Sequence, residues 1–466
     1  MEEEEPIVSH RRSLASNKVV AAVIGVESVC LVLCVVIIAV LVGIVVFDDS
    51  DDSSVPSSCS SASPSVTPTQ SSDDSFYFFQ LSDIHSNLNY SNVNDPIGNF
   101  GEDAGTDLLT LALENMKNLP GSPAFILVTG DFPGHDLSNA EEQIATISQV
   151  SSLIHEFFPD TPVYPAMGNN DVFPDYYFPL NTTSEWMDEL SDLWAVQLPW
   201  LSPEQLSTFN PNGYYSVDSL WDGGPKLIVL NTLLYSVKLR TTQPFGVPTD
   251  PNELPDDPND QMLWLSSQLE SARASGQRVI IQYHIPSGMN AYDNSLTWHE
   301  KFTVSFDELC KNYSDVIIIH MAAHYHTDEF RILSAPNGVL LNPSISPIHT
   351  NNPGFRQYWV ENGNLTNYHQ YYVDLVAANA KSKKGEAIEF KLEYDWQAAY
   401  SQSSIDGFAV EAILNLLSTD LEYYMKFLTY EYVFYPWHRG SSLCASAYQQ
   451  QSNYTACIDQ YDDDEM

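Results

Sequence analysis

The sequence is poor in basic residues. Its 466 residues include 19 lysines and arginines against 61 aspartates and glutamates, a formal net charge of −42 at pH 7. A surface of this kind repels polyanions, so no nucleic-acid polymer is expected as a partner. A phosphate ligand would need a local source of positive charge, and a metal centre is one way to supply it.

Cysteine is also scarce, with six in the whole chain. Two of them lie inside a long apolar run, which leaves an even number for disulfides in an oxidising compartment. Among these we favour a bond between Cys444 and Cys457, although the spacing by itself leaves other pairings open. Hydrophobic residues make up 44% of the chain, enough for a folded core.

That long apolar run stands near the N-terminus. Residues 28–47 carry no charge, and as a helix they would span about 30 Å, the thickness of the hydrocarbon core. A signal peptide has a shorter core of about 7–15 residues, so we favour an uncleaved transmembrane anchor at residues 19–47. Basic residues precede the run and four aspartates follow it. This asymmetry predicts a cytosolic tail at residues 1–18 and a type II protein facing the exterior or a lysosome-like or vacuole-like lumen.

Five Asn-x-Ser/Thr sequons agree with this topology, because all of them lie beyond the apolar run. The candidate glycosylated residues are Asn89, Asn181, Asn312, Asn364 and Asn453. Residues 48–75 are rich in serine, aspartate and proline, which predicts a disordered stalk between the anchor and the folded part.

Beyond the stalk, short apolar runs alternate with helical stretches. Seven runs are typical of buried strands: FYFFQLS, AFILVTG, PVYPAMG, KLIVLNT, RVIIQYH, DVIIIHM and GVLLNPS. Helices are predicted at residues 106–118, 139–158 and 260–275. The alternation predicts an α/β catalytic domain at residues 76–365, with its sheet covered by helices on both sides. The pattern then becomes helix-like, which predicts a C-terminal helical region at residues 366–466.

Oxygen and nitrogen donors follow five of these runs, at the position where α/β sheets carry their functional groups. They are Asp83, His85, Asp131, Asn169, His284, His324 and His326. Taken alone, each of these residue types is more often a solvated surface side chain or a hydrogen-bonded core residue than a metal ligand. Together, carboxylates, an amide oxygen and imidazoles without a thiolate suit two divalent ions such as Zn²⁺, Mn²⁺ or Fe.

The order D-x-H, G-D, G-N-x-D/E, H and then x-H-x-H resembles the signature of calcineurin-like dinuclear metallophosphoesterases. QMLWLSSQLESARASGQRVIIQYHIPSG, HYHTDEF and SISPIHTNNPGFRQY are similar to segments of the acid sphingomyelinase-like branch. The similarity runs from about Phe76 to the end, without a preceding saposin-like domain. It implies a sheet sandwich with flanking helices and metal-dependent phosphodiesterase activity. It also implies two divalent cofactor ions, for which we favour zinc.

The resemblance further implies how the donors are divided. The first ion would be held by Asp83, His85 and His326. The second would be held by Asn169, His284 and His324, with Asp131 bridging the two. Because the amide ligand is neutral, two ions, two carboxylates and a bridging hydroxide would leave about one positive charge for an anionic phosphoester.

Three positions depart from the family pattern. Ala323 replaces the glycine of G-H-x-H, and Ser287 replaces a proline of HIPPG; neither change removes a donor. Asn170 replaces a histidine that is proposed to protonate the leaving oxygen in relatives, and an amide cannot act as an acid. His135, which matches another active-site histidine of the family, is the candidate for that catalytic role.

Three functions are compatible with the sequence. A membrane-tethered phosphodiesterase would act on a sphingomyelin-like lipid or a nucleotide. GNND together with an anchor is also similar to the endopolyphosphatases of vacuolar lumens, but residues 48–466 carry 56 acidic and 16 basic residues and would repel polyphosphate. Asn170 would also permit a catalytically dead binding ectodomain, against which stands the full set of donors.

Overall fold

The computed structural model describes residues 75–461, apart from residues 136, 243–246, 335, 432 and 434–438. The expected anchor at residues 19–47 lies outside this part of the chain, as does the stalk as far as residue 74. Within the described part, no helix is both long and apolar enough to cross a bilayer.

In the described part of the chain, twelve strands form two sheets. In chain order they are β1 (Phe76–Leu81), β2 (Ile126–Val128), β3 (Val163–Pro165), β4 (Tyr215–Val217), β5 (Lys226–Val229), β6 (Val279–Gln282), β7 (Ile317–Ala322), β8 (Glu329–Ile332), β9 (Gly338–Leu341), β10 (Gly354–Glu361), β11 (Asn364–Tyr372) and β12 (Lys391–Asp395). The first sheet has the order β12-β11-β10-β1-β2-β3 and the second β4-β5-β6-β7-β9-β8. All seven predicted strands are confirmed.

Helices flank both sheets. They are α1 (Thr106–Asn118), α2 (Ala140–Phe157), α3 (Glu185–Gln197), α4 (Pro203–Asn212), α5 (Gln261–Ser275), α6 (Glu300–Asn312), α7 (Leu375–Ser382), α8 (Trp396–Tyr400), α9 (Gly407–Thr419), α10 (Leu421–Glu431), α11 (Arg439–Ala447) and α12 (Gln451–Ile458). The three predicted helices correspond to α1, α2 and α5. The α/β fold class is therefore confirmed.

Helix α2 shows how the local sequence produces these elements. Asn139 caps it, because its side chain accepts a hydrogen bond from the backbone N–H of Glu142. Ile147, Val150 and Ile154 recur every three or four residues and are fully buried. The helix therefore covers the sheet with one apolar stripe.

The two sheets meet where their parallel strands end. Strands β1, β2 and β3 are parallel to one another, as are β5, β6 and β7. Gln282 of β6 donates hydrogen bonds to the carbonyls of Val128 and Tyr164 in the first sheet, at 3.0 and 3.1 Å. The loops after these strands are thereby brought to one place.

The C-terminal part differs from the sequence expectation. Strand β11 runs across the boundary expected at residues 365 and 366, and β12 lies beyond it. Register shifts in the pairing of β11 with both neighbours interrupt the two-residue period that identifies a strand. Residues 366–466 therefore contribute two strands to the first sheet as well as helices α7 to α12.

Candidate metal centre

The structure brings the seven predicted donors to one edge of the fold. They follow β1, β2, β3, β6 and β7, each two to four residues after the strand ends. The carboxyl ends of parallel strands share an edge of their sheet. Contact between the two sheets then places the five loops together.

The first half-site consists of Asp83, His85 and His326, whose donor atoms all lie within 4.8 Å of one another. The Nε2 atoms of His85 and His326 are 3.2 Å apart, and His326 Nε2 is 3.4 Å from Asp83 Oδ1. Each residue is at most 2% exposed. This is the grouping that the resemblance implied for the first ion.

In the second half-site the structure groups His284 and His324 with Asp131. Asn169, the third donor that the resemblance assigns to this half-site, precedes Asn170, whose backbone N–H donates to Asp131. His324 Nδ1 is 3.3 Å from His284 Nε2, and both histidines have a donor within 4.8 Å of an Asp131 oxygen. Asp131 Oδ2 lies 3.1 Å from His284 Nε2 and 3.5 Å from His85 Nε2. Asp131 therefore lies between the half-sites, where a bridging ligand would be.

Two of the imidazoles are oriented by hydrogen bonds at the ring nitrogen that faces away from the other donors. His85 Nδ1 is 3.1 Å from the carbonyl of Pro133, and His284 Nδ1 is 2.7 Å from that of Thr129. A carbonyl only accepts, so Nδ1 carries the proton and the Nε2 of each neutral ring presents a lone pair to the centre. Asp83 Oδ1 is buried beside them without a hydrogen-bond partner among the described residues. Converging acceptors of this kind fit divalent cations.

Burial disfavours the charged form of every ionisable residue in the centre, whereas the carboxylates favour the charged form of nearby imidazoles. Burial raises the pKa of Asp83 to about 7 and lowers the pKa of His85 to about 4. Burial also disfavours charge on His284, but Asp131 and Asp83 outweigh it and raise the pKa of that imidazole to about 9. The centre thus attracts positive charge, which protons supply in competition with metal ions.

The backbone at the ligands adopts an uncommon conformation. Five of the seven have positive φ angles: Asp83 (45°), His85 (40°), Asp131 (58°), His324 (79°) and His326 (67°). For non-glycine residues this costs of order 1–3 kcal/mol each and persists only where the surrounding structure enforces it. Clustering of such residues is typical of functional sites.

Two glycines allow the ligand segments to approach each other. A Cβ at Gly168 would overlap Asp131 Oδ1. One at Gly130, where φ is 89°, would lie 2.8 Å from His284 Nδ1. The glycines of the G-D and G-N motifs are therefore required by the packing of one ligand segment against another.

The two amides of GNND have different tasks. Asn169 Nδ2 donates to Asn170 Oδ1, which leaves Asn169 Oδ1 buried without a hydrogen-bond partner among the described residues and available to a metal. The backbone N–H of Asn170 donates to Asp131 Oδ1 at 2.8 Å. Asn170, the catalytic-site position where relatives have a histidine, is fully buried. Through its contact with Asn169 it orients the candidate ligand amide.

His135, the predicted proton donor, lies beside the first half-site. Its ring stacks on His85 with centroids 4.3 Å apart, and its side chain is 32% exposed. Asp103 Oδ1 is 3.2 Å from His135 Nδ1, and the other carboxylate oxygen accepts the backbone N–H of His135. Burial disfavours the imidazolium, but Asp103 outweighs it and raises the pKa of His135. Nε2 is then the ring atom left for a ligand.

Sequence reasoning missed three residues of this site. Asp103 lies 32 positions before His135, in a loop without a motif. The ring centroid of His349 is 4.4 Å from that of His326, and the only signal for it was the SISPIHTNNPGFRQY segment. Asp171, the last residue of GNND, accepts backbone N–H groups from both ligand loops and ties them together.

The structure joins Cys444 and Cys457 in a disulfide between α11 and α12, while Cys310 is a buried free thiol. This helical pair packs on Met289, in the segment that follows His284. All five sequon asparagines are exposed, namely Asn89, Asn181, Asn312, Asn364 and Asn453.

Comparisons with known proteins found similar sequences and similar folds. The profile of the family described as "Calcineurin-like phosphoesterase" matches residues 76–328. "Sphingomyelinase phosphodiesterase D" of Dictyostelium discoideum is 31% identical over 70% of this chain and 72% of that protein. "Cyclic GMP-AMP phosphodiesterase SMPDL3A" of Mus musculus is 28% identical over 82% of this chain and 92% of that protein. Among solved structures, a dimetal phosphatase from Danio rerio has a TM-score of 0.42 at 11% identity, over 63% of this chain and 95% of that one.

Proposed function

Since the chain belongs to the calcineurin-like phosphoesterase family, we propose that it is a phosphodiesterase that uses two zinc ions to hydrolyse phosphodiester or phosphoanhydride bonds. As a member of that family it is a metal-dependent hydrolase with a candidate dinuclear site. One observation carries the proposal. Donors from five loops converge with their lone pairs facing one another, and two buried oxygens, on Asp83 and Asn169, have no hydrogen-bond partner among the described residues.

The names of the relatives limit the class of substrate that we propose. One of them is a sphingomyelinase and another a cyclic dinucleotide phosphodiesterase. Both cleave a phosphodiester, so a lipid headgroup and a nucleotide are the two candidate substrates for this chain.

The donor set fits an anionic substrate. When bound, two divalent ions would polarise the phosphoryl oxygens and lower the pKa of a water molecule that attacks phosphorus. Asp83 and Asp131 are the only carboxylates among the seven donors, and Asn169 adds no charge. The centre would therefore keep net positive charge for the phosphoester.

His135 is the group proposed to protonate the leaving oxygen. Water adds to phosphorus and gives up a proton to solvent, while the bond from phosphorus to the leaving oxygen breaks and the His135 Nε2 proton passes to that oxygen. A proton from solvent then restores His135. Asp103 holds Nδ1 and thereby fixes which ring nitrogen faces the cleft. The stacking of His135 on His85 places the donor next to the first half-site.

Membrane tethering by residues 19–47 is part of the proposal. It is supported by the charge asymmetry around that run and by the exposure of every sequon asparagine. The disulfide suits an oxidising lumen or exterior. Protease protection of the full-length chain in sealed vesicles tests the topology: only the short N-terminal tail should be removed from the cytosolic side.

A substrate panel tests the proposed activity. The full-length chain is assayed on sphingomyelin, ATP, bis-nitrophenyl phosphate and polyphosphate at acidic and neutral pH, with and without a chelator. We expect chelator-sensitive hydrolysis of the diester and of one of the first two compounds. Preferred cleavage of polyphosphate would support an endopolyphosphatase instead.

Metal analysis separates an enzyme from an inactive binding ectodomain. The proposed enzyme retains two metal ions for each chain after purification, and Asp131→Asn lowers that content together with the activity. A wild-type chain with neither bound metal nor turnover would support the binding ectodomain.

A further inference from the structure

A row of polar side chains crosses one face of the first sheet. Gln80 of β1 is the register partner of Arg356 of β10. Further along the row, Gln370 of β11 pairs with Arg356 and with Tyr394 of β12. Directly paired residues of neighbouring strands point to the same side of a sheet. Each of the four is at most 5% exposed, and a sheet face that is buried to this degree normally carries apolar side chains.

The row is connected to the first half-site through Asp328, which follows the ligand His326 by two residues. One oxygen of the Asp328 carboxylate accepts a hydrogen bond from the Arg356 guanidinium, and the other accepts one from the Tyr394 hydroxyl. Asp328 and Arg356 are both buried and form an ion pair. The segment that carries His326 is therefore fastened to the first sheet by a buried ion pair.

Further hydrogen bonds lead from Arg356 to the second half-site. Arg356 Nη1 donates to the Tyr358 hydroxyl at 3.4 Å, and that hydroxyl donates to Gln80 Oε1 at 3.0 Å. Gln80 Nε2 donates to Thr129 Oγ1 at 2.8 Å. The carbonyl of Thr129 is the acceptor for Nδ1 of the ligand His284. With the ion pair, these contacts form a polar path that joins the two half-sites, and its members are Asp328, Arg356, Tyr358, Gln80 and Thr129.

Stability alone does not account for the polar path. Taking an ion pair out of water costs free energy, and apolar residues of similar volume in its place are often no less stabilising. By contrast, the outer hydrogen-bond partner of a metal ligand fixes the orientation of that ligand and thereby strengthens metal binding. The polar path begins beside one metal ligand, His326, and ends on the ring of another, His284. This location favours a role in the geometry of the centre.

We propose that Tyr358, Gln80 and Thr129 are positioning residues that fix the second half-site relative to the first and keep the His284 imidazole directed at its ion. All three are fully buried, so they act through the metal ligands and do not touch a substrate. The inference rests on the proposed dinuclear hydrolase function. It also gives the C-terminal strands β11 and β12 a part in the metal centre, because they complete the polar row.

Zinc titration of the metal-free full-length chain, followed by calorimetry, tests the proposal. Tyr358→Phe and Thr129→Val each remove one hydroxyl from the polar path and keep the volume of the side chain nearly unchanged. Each should weaken the binding of one of the two zinc ions by roughly tenfold, the lower end of the effect of an outer hydrogen-bond partner. The other ion should bind as in the wild type, because Asp328 and Arg356 still hold the first half-site.

Two further variants separate positioning from a general loss of stability. Thr129→Ser keeps the hydroxyl and should bind both zinc ions as the wild type does. Tyr368→Phe is the matched control, because its buried hydroxyl lies 2.7 Å from that of Tyr394, outside the polar path. It should lower the midpoint of thermal unfolding about as much as Tyr358→Phe does and leave zinc binding unchanged.

The outcomes are distinguishable. Equal zinc binding in Tyr358→Phe and Tyr368→Phe, or in Thr129→Val and Thr129→Ser, overturns the positioning role and leaves the hydrolase proposal standing. A wild-type chain that binds no zinc and hydrolyses none of the substrates in the panel refutes the proposed function and this inference with it. Thermal unfolding establishes which variants are folded. Because Tyr358→Phe and Thr129→Val interrupt the polar path at different points, either one that folds decides the question.

Discussion

The two half-sites use the same ligand chemistry in different surroundings. The first half-site has a carboxylate, is almost fully buried, and is flanked by the imidazoles of His135 and His349. The second half-site has no carboxylate besides the shared Asp131, and one of its candidate ligands, His324, is partly exposed.

This difference suggests separate uses for the two sides of the centre, one for the leaving group and one for binding the substrate. The proposed proton donor, His135, lies next to the first half-site, which suits the departure of a leaving oxygen on that side. With two ions bound, positive charge would be less neutralised at the second half-site, which would suit the binding of an anionic substrate there. Asp131 belongs to both and couples them.

The largest expected effect comes from removing what the half-sites share. Asp131→Asn keeps the shape of the side chain and an acceptor for the Asn170 N–H, but it removes the charge between the ions. We expect kcat/KM for bis-nitrophenyl phosphate to fall by about 10³-fold or more. Circular dichroism should show an intact fold. Turnover close to wild type would rule out a bridging role for Asp131.

Replacing His135 tests whether the leaving oxygen departs next to the first half-site and receives its proton there. His135→Ala should slow cleavage of an alkyl phosphodiester by about 10²-fold, because an alkoxide needs a proton from an acid. A nitrophenyl ester should be slowed much less, since nitrophenolate leaves without protonation. Asp103→Asn is the matched variant and should show a weaker form of the same selectivity. Equal slowing of both esters would remove His135 from the acid role.

Changing Asn169 makes the second half-site resemble the first. Asn169→Asp adds a carboxylate, so that half-site should hold its metal more tightly and attract anionic substrates less. We expect KM for bis-nitrophenyl phosphate to rise on the order of tenfold, the effect of one charge at close range. Metal titration monitored by calorimetry measures the other half of the prediction. A lower KM in the variant would contradict the charge argument.

The smallest effect concerns stability and should affect both half-sites equally. His320 lies on β7, the strand that supplies one histidine to each half-site, and burial lowers its pKa to about 3. Unfolding restores a value near 6.5, so the unfolded state binds more protons between these two pH values. Stability is thus lost as pH falls below 6.5, by about 2 kcal/mol near pH 5.

Substitution of His320 by leucine isolates this contribution. His320→Leu should show a smaller loss of stability between neutral and mildly acidic pH than the wild type, as measured by urea unfolding. The matched variant Lys311→Gln should behave as the wild type. An unchanged pH dependence in His320→Leu would mean that this imidazole is not the titrating group.

Much of the fold was predictable because its signals are local. Seven buried runs and three amphipathic helices identified the α/β core, and the donors after five of these runs identified the candidate ligands. Five of the described strands were not predicted, namely β4, β8, β10, β11 and β12. For β11 and β12, bulges break the alternation that would have revealed them. The contact between Asp103 and His135 also left no local signal, because chain folding brings together residues that are 32 positions apart.

The sequence by itself determined which atoms could bind metal, since donor type and position after a strand are properties of short segments. Only the tertiary structure decided how those atoms differ in use. Packing buried Asn170 and turned it toward Asn169, and it left His135 partly exposed beside His85. Burial and through-space charge depend on residues distant along the chain, so no local pattern could have decided them.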